Sequence, residues 1–248
     1  MNEELSNLCK NCGHGTQGDY CSACGQRTSI NKVTFKETFQ DLIDAIFSVN
    51  APLFITFKML LVNPGRIFTE YLNGKRKKYY RPVTFFILMT VIYLVIRELI
   101  NYDPFGSTLL KVEDPYDSQI LTKTRNFMLL NIDKFLFAFV FSLGLMMKLF
   151  FYKKHSLAEF LSISFYLIGI YTILTTLNMF YIQYLDKTFQ GIHIVVMFLY
   201  FIYAMASFFK KNRWWVIVKS IFIYALGFYF YGFLAFGLSF ILVWVNNQ

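Results

Sequence analysis

Four cysteines open the chain as Cys9-x-x-Cys12 and, eight residues later, Cys21-x-x-Cys24, and the sequence contains no others. Two such pairs bring four thiolates within reach of one tetrahedral Zn²⁺. A glycine follows each pair, Gly13 and Gly25. That suits a knuckle turn, because glycine takes positive φ without a steric penalty while backbone N–H groups turn towards sulfur. Four sulfurs complete the shell, so the reading is a structural zinc ribbon with no open position for catalysis, and His14 is left as loop surface. Two rival uses of cysteine fit less well. Disulfides belong to an oxidising compartment, whereas Met1 to Leu8 is polar and acidic and unlike a secretory signal. A thioredoxin-like redox pair needs a βαβ context and leaves the second pair unexplained. About twenty residues this poor in apolar side chains do not fold unaided, so metal binding supplies the folding energy, on the order of 10–16 kcal/mol.

The elements behind this head are of another kind. The chain is 56% hydrophobic and 20% aromatic with only 16% charged residues, and its mean hydropathy is +0.45. A soluble domain of this length carries more charge. The net charge of +9 would suggest nucleic acid in a soluble protein. Here lysine and arginine cluster beside apolar runs, where membrane proteins keep them, so no nucleic-acid partner is expected. Three regions follow: a zinc ribbon over 1–30, an amphipathic and basic juxtamembrane region over 31–82, and a transmembrane helical domain over 83–248.

Five spans are expected: Val83–Ile100, Phe135–Phe151, Leu157–Tyr181, Ile192–Phe209 and Ser220–Val245. Arg97 and Glu98 intrude near the end of the first; adjacent residues do not face each other on a helix, so Arg97 is expected to snorkel outward. Gly227, Gly232 and Gly237 mark weak points or close helix contacts in the last span. Basic residues alternate between connections. Lys75, Arg76, Lys77, Lys78 and Arg81 precede the first span; Lys148, Lys153 and Lys154 follow the second; Lys210, Lys211, Arg213 and Lys219 follow the fourth. The other connections are mixed or acidic. By the positive-inside rule the head is cytoplasmic and the C-terminus lies outside, which agrees with a reducing compartment for four thiolates.

In the juxtamembrane region, Phe35, Phe39, Leu42, Ile43, Ile46 and Phe47 recur at helical spacing behind a Thr34/Glu37 capping box. Leu53, Phe54, Phe57, Leu60 and Leu61 make a second apolar face, interrupted by Lys58. Asn63 then reads as an N-cap, Pro64 as the first helical residue and Gly74 as the C′ stop, with Ile67, Phe68, Tyr71 and Leu72 as the buried side. The spacing from Pro64-Gly65 through Tyr71, Gly74-Lys75-Arg76 and Tyr79 to Pro82 has the form PG-x₅-Y-x-x-GKR-x-x-Y-x-x-P. With the cysteine head and the apolar runs, it resembles a bacterial family common in the Bacteroidota and of unknown function. The resemblance covers residues 9–28 and 52–90, and the later spans by hydropathy only. It implies an inner-membrane protein with a zinc ribbon and no assigned activity.

Five cations within seven residues, Lys75 to Arg81, at the inner edge of a span suit an anionic headgroup surface, at about 1 kcal/mol each and roughly 5 kcal/mol together. Tyr79 and Tyr80 are expected at headgroup depth as belt residues. An orientation signal accounts for the charges but not for Pro64, Gly65 and Gly74, which imply a defined backbone shape. The candidate lipid- or partner-binding residues are therefore Pro64, Gly65, Arg66, Tyr71, Gly74, Lys75, Arg76, Lys77, Lys78, Tyr79, Arg81 and Pro82. The partners they suit are anionic membrane lipids, or a membrane or cytoplasmic protein.

No catalytic set is apparent. Glu159, His155 and His193 fall near span ends without visible partners, and no phosphate loop, nucleophile elbow or HExxH is present. Ser162, Ser164, Thr172, Thr175, Thr176 and Asn178 form a polar stripe on the third span, suited to interhelical hydrogen bonds or, in a sharper reading, to a solute pathway. The expectation is an all-α polytopic membrane protein with a small N-terminal zinc ribbon held by Cys9, Cys12, Cys21 and Cys24, acting as a non-enzymatic binding module. A small transporter or lipid-handling protein is the alternative, and a lipid-modifying enzyme the third reading.

Overall fold

The computed structural model describes residues 8–28, 53–102, 119–185, 191–210 and 212–246. Among them the regular structure is helical: α1 (Leu53–Val62), α2 (Pro64–Leu72), α3 (Pro82–Leu99), α4 (Gln119–Leu130), a 3₁₀ turn (Ile132–Phe135), α5 (Leu136–Phe150), α6 (Leu157–Tyr184), α7 (Ile192–Phe208) and α8 (Arg213–Asn246). The head has only two isolated bridges, Leu8 to Gly15 and Tyr20 to Arg27. The helix expected over residues 35–47 lies outside the described residues.

Local chemistry sets the ends of α2. The Asn63 side chain accepts the Arg66 N–H at 3.2 Å, with Pro64 in the first turn. At the other end Gly74 has φ of 102°; its N–H donates to the Tyr71 carbonyl and the Lys75 N–H to the Glu70 carbonyl. Those two bonds are a Schellman stop, which needs positive φ at the glycine. The α6 start is a reciprocal capping box between Ser156 and Glu159, so Glu159 serves as a cap rather than as an isolated interface residue. In α1, Thr56 and Leu60 are buried while Phe54 and Leu61 are exposed; this helix is apolar on both sides, not on one face.

Among the described residues three helices, α3, α6 and α8, are long and apolar enough to cross a membrane, and the pair α4 and the turn-plus-α5, bent by 77°, makes a fourth if counted as one span. The expected second and fourth spans are shorter helices, α5 with 15 residues and α7 with 17. At 1.5 Å per residue they reach about 22 and 25 Å against a hydrocarbon core of about 30 Å. The last span is longer than expected: the Arg213–Lys219 segment continues it, and α8 runs 34 residues through all three glycines. Gly227 packs on Leu143, whereas a Cβ at Gly232 or Gly237 would meet nothing within 4 Å.

The bundle closes through side chains that meet across distant elements. A Cβ at Gly169 would lie 2.6 Å from the Phe85 ring, so α3 and α6 approach closely only because that residue is glycine. Phe139 stacks on Tyr231 at 4.8 Å, and the Ser142 hydroxyl donates to the Gly227 carbonyl at 2.6 Å, joining α5 to α8. At one end of the block, Arg97 and Tyr93 of α3 both donate to the Asp133 carboxylate just before α5. At the other, Lys219 at the start of α8 donates to the Phe150 carbonyl at 3.0 Å, Lys148 to the Tyr152 and His155 carbonyls, and His155 stacks on Phe208 at 5.2 Å. Thus α5 runs from the Arg97 end to the His155 end. Lys148 and Lys219, two of the basic residues of the expected cytoplasmic connections, thus cap the end of α5 and its loop.

Candidate functional site

The four Sγ atoms of Cys9, Cys12, Cys21 and Cys24 lie within 4.8 Å of one another. Cys9 to Cys24 and Cys12 to Cys21 are each 3.6 Å. Tetrahedral bonds of 2.3 Å give sulfur–sulfur edges of about 3.8 Å, so the residues fit one metal ion, and none of the four is in a disulfide. The two pairs are built alike. The Cys9 N–H donates to the His14 carbonyl and Gly13 N–H to the Cys9 carbonyl; the Cys21 N–H donates to the Gln26 carbonyl and Gly25 N–H to the Cys21 carbonyl. Gly13 and Gly25 have φ of 76° and 64°, the region where a Cβ is costly. His14 is exposed and contributes its carbonyl, not its ring, to the knuckle.

The signature stretch forms a loop held on one carboxylate. Glu70 accepts Arg66 Nε at 3.0 Å, Lys78 Nζ at 2.8 Å and Tyr79 Oη at 2.7 Å, with Lys75 Nζ at 3.6 Å. Burial alone would push the Glu70 carboxyl up; the hydrogen bonds from Lys78, Tyr79 and Arg66 outweigh it and hold it down at about 2. Burial and the Glu70 charge push the Tyr79 hydroxyl up. Tyr79 and Tyr80 are 1% and 6% exposed, so neither is a belt residue. Tyr79 completes the Glu70 cluster, while the Tyr80 N–H donates to Thr56 Oγ1 at 2.7 Å and its carbonyl accepts the Tyr166 hydroxyl at 2.5 Å. The expected belt position rested on depth alone; the phenol and the peptide polar groups each found a partner within the protein.

Pro64 and Gly65 belong to a packing contact. Both are buried, and the Gly65 N–H donates to Ser207 Oγ at 3.2 Å, which in turn donates to Asn63 Oδ1 at 3.1 Å. Tyr200 and Tyr203 of α7 donate to the Leu60 and Val62 carbonyls at the end of α1. α1 and α2 are therefore docked on the helical block. Tyr71 and Pro82 are buried in the same packing, and Arg81 precedes Pro82 as the α3 N-cap. The cations divide: Arg66, Lys75 and Lys78 sit around Glu70 with side chains 55%, 38% and 36% exposed, Lys77 is exposed, and Arg76 is half-buried.

One residue without any local sequence signal joins the two halves of the site. Gln26 is 3% exposed; its Nε2 donates to the Gly74 carbonyl and its Oε1 accepts the Lys77 N–H at 3.3 Å. The head thus rests on the turn of the signature loop. Glu70 could have been found from its i, i+4 spacing to Arg66. Gln26, Ser207 and Thr56 could not, because their partners are far away in sequence.

The remaining candidates have partners within the helical block. Arg97 does not snorkel: its partner is Asp133, 36 residues on, and its side chain is 19% exposed. His193 has a partner, Asn178 Nδ2 at 3.0 Å, and His155 Nδ1 lies 3.6 Å from Glu159. On the polar stripe Ser162, Ser164, Thr172, Thr175 and Thr176 all donate to carbonyls three or four residues back on their own helix; only Asn178 reaches a neighbouring helix.

Residues 51–94 match the model of a family described as "Protein of unknown function (DUF3667)". The matched stretch runs from the start of α1 through the basic loop into α3, and does not reach the cysteine pairs. No curated protein and no solved structure matches the chain.

Proposed function

We propose that the chain is a multi-pass protein of the bacterial inner membrane in which a cytoplasmic zinc ribbon and the Arg66–Arg81 loop form a non-enzymatic module that binds anionic lipid headgroups. The observation that carries this reading is the held shape of the loop. Six basic side chains, Arg66, Lys75, Arg76, Lys77, Lys78 and Arg81, stand against the single Glu70 carboxylate, on a backbone set by the Gly74 stop and by Gln26, immediately before α3. An orientation signal needs the charge and no such geometry. Zinc is the metal assigned, because a closed set of four thiolates suits it and leaves no catalytic position.

Five crossings fit the contacts better than three. The 15 residues of α5 join the same two ends of the block as the longer helices, and α7 lies with its last residues beside His155 and Gly65. With five crossings, the positive-inside rule favours a cytoplasmic head and an external Asn246. The hydroxyls of the α6 stripe donate to carbonyls of their own helix, the ordinary structural use of such groups, which favours the binding module over a transporter. Glu70 is engaged by Arg66, Lys75, Lys78 and Tyr79, which suits holding the loop and favours the binding module over a lipid-modifying enzyme.

The test is lipid rebinding by native mass spectrometry. Delipidated protein in detergent is offered phosphatidylglycerol and phosphatidylcholine, beside Lys75→Gln/Lys77→Gln and Gly74→Ala variants. Preference for phosphatidylglycerol that falls severalfold in both variants supports the reading. Equal retention of both lipids by the parent protein overturns it.

A further inference from the structure

We infer that metal occupancy of the cysteine head controls the shape of the basic loop, with Gln26 as the connecting side chain. This rests on the reading of that loop as the ligand-binding surface and adds its regulation.

The head has almost nothing else to hold it. Among residues 8–28 the buried ones are Cys9, Thr16, Cys21 and Gln26, so two of the four are metal ligands and none is a large apolar side chain. A core of that size does not offset the conformational entropy of ordering about twenty residues. The metal therefore decides whether the knuckles exist. Gln26 is part of the second knuckle, since its carbonyl accepts the Cys21 N–H at 2.7 Å. Its side chain leaves the same backbone unit and grips the loop at two points, the Gly74 carbonyl and the Lys77 N–H. Those points bracket the turn that orients Lys75, Arg76 and Lys77.

Charge adds to the coupling. One Zn²⁺ with four thiolates carries a net charge of about −2. The Lys77 ammonium lies 3.7 Å from where a Cβ on Gly25 would be, beside the Cys24 knuckle. The loaded site thus sets negative charge next to a cation of the loop, and loss of the knuckle removes the Gln26 grip. Glu70 still holds Arg66, Lys75 and Lys78 from the α2 side, and the Schellman bonds hold Gly74 and Lys75, so the residues released are Arg76 and Lys77 and not the whole loop.

The experiment is backbone hydrogen exchange on the full-length protein in nanodiscs of phosphatidylcholine with phosphatidylglycerol, loaded with zinc or stripped by a chelator, with metal content measured on each sample. Gln26→Met keeps the side-chain volume and all four cysteines while removing both hydrogen bonds. In the parent, stripping should speed exchange at the Lys77 amide at least tenfold, with the α3 and α6 amides unchanged. Zinc-loaded Gln26→Met should show the same acceleration without stripping. Unchanged Lys77 exchange in the stripped parent overturns the coupling, and slow exchange in a zinc-loaded Gln26→Met overturns the role of Gln26. Should Gln26→Met fail to hold metal, the parent's zinc titration decides, since Lys77 protection must then rise with occupancy. The lipid preference of the same samples is read separately. A turn that loosens with no change in phosphatidylglycerol preference supports the coupling and removes the headgroup reading.

Discussion

Gly65 lies against Ser207 so closely that a Cβ on it would sit 2.2 Å from the Ser207 carbonyl carbon and oxygen. The contact is with backbone, so no rotamer change can relieve it. It seats the first turn of α2 on the last turn of α7, and the Gly65 N–H to Ser207 Oγ bond uses the same approach.

Gly65→Ala should therefore destabilise the protein although alanine favours helices. Overpacking of a well-packed contact costs about 1–3 kcal/mol. Thermal unfolding in detergent, followed by size exclusion, should give a clearly lower midpoint for Gly65→Ala. Gly232→Ala, where a Cβ meets open space, should leave the midpoint unchanged or slightly raised. Equal midpoints for the parent and Gly65→Ala would remove the packing role assigned to the Pro64-Gly65 pair.

The Glu70 cluster predicts a pH dependence of defined sign. The folded carboxyl is held at about 2 against an ordinary value of 4.5. A depressed carboxylate adds stability that is fully present above pH 4.5 and is lost as pH falls from there through 2. Glu70→Gln lacks that increment and should be less stable at neutral pH, by about 1–3 kcal/mol for losing charged hydrogen-bond partners. The gap between the parent and Glu70→Gln should narrow below pH 4.5. A gap that stays constant from neutral pH down to about 2.5 would show that the carboxylate charge contributes nothing there.

How much of this could be read beforehand depends on sequence distance. The set of Cys9, Cys12, Cys21 and Cys24 and the Asn63 and Gly74 caps were legible, because each is made by residues a few positions apart and follows from local geometry. The joints between elements were not. Gln26 meets Gly74 across 48 residues, Tyr80 meets Tyr166 across 86 and Gly65 meets Ser207 across 142; no periodicity marks such pairs. Arg97 illustrates the consequence: with only Glu98 beside it, it reads as an outward-facing charge, whereas Asp133 was the partner. Hydropathy also located the apolar runs better than it set their helix lengths, because α5 ends in a lysine-capped loop and α8 continues through tryptophans and basic residues that lower the apolar average.

The metal centre predicts one zinc ion per chain. Cys21 is 1% exposed, closes the second knuckle through its N–H and its carbonyl, and has its Sγ in the four-cysteine cluster. Cys21→Ser should abolish zinc binding and make the head sensitive to trypsin, while the membrane block keeps its elution volume and its detergent unfolding midpoint. Elemental analysis of purified protein is the direct check. Metal-free protein with a protease-resistant head would sink the assignment.

Topology separates the counts of three, four and five crossings, because each puts a different loop on each side. If α3, α5, α6, α7 and α8 all cross, residues 152–154 and 210–213 face the cytoplasm and the C-terminus faces out. If only the three long helices cross, α5 stays outside and residues 152–154 are external, although the C-terminus is still outside. If α7 alone fails to cross, the C-terminus returns to the cytoplasm. Cytoplasmic placement of Lys148, Lys153, Lys154, Lys210, Arg213 and Lys219 is what the positive-inside rule favours, and only five crossings achieve it at both loops. Paired fluorescent-protein and phosphatase fusions at residue 153 and at the C-terminus should therefore read inside and outside. An external reading at residue 153 would reduce the count to three. A fluorescent C-terminus would leave α7 on the outer side with the end of α6, against the contact its Ser207 end makes with α2 on the head side.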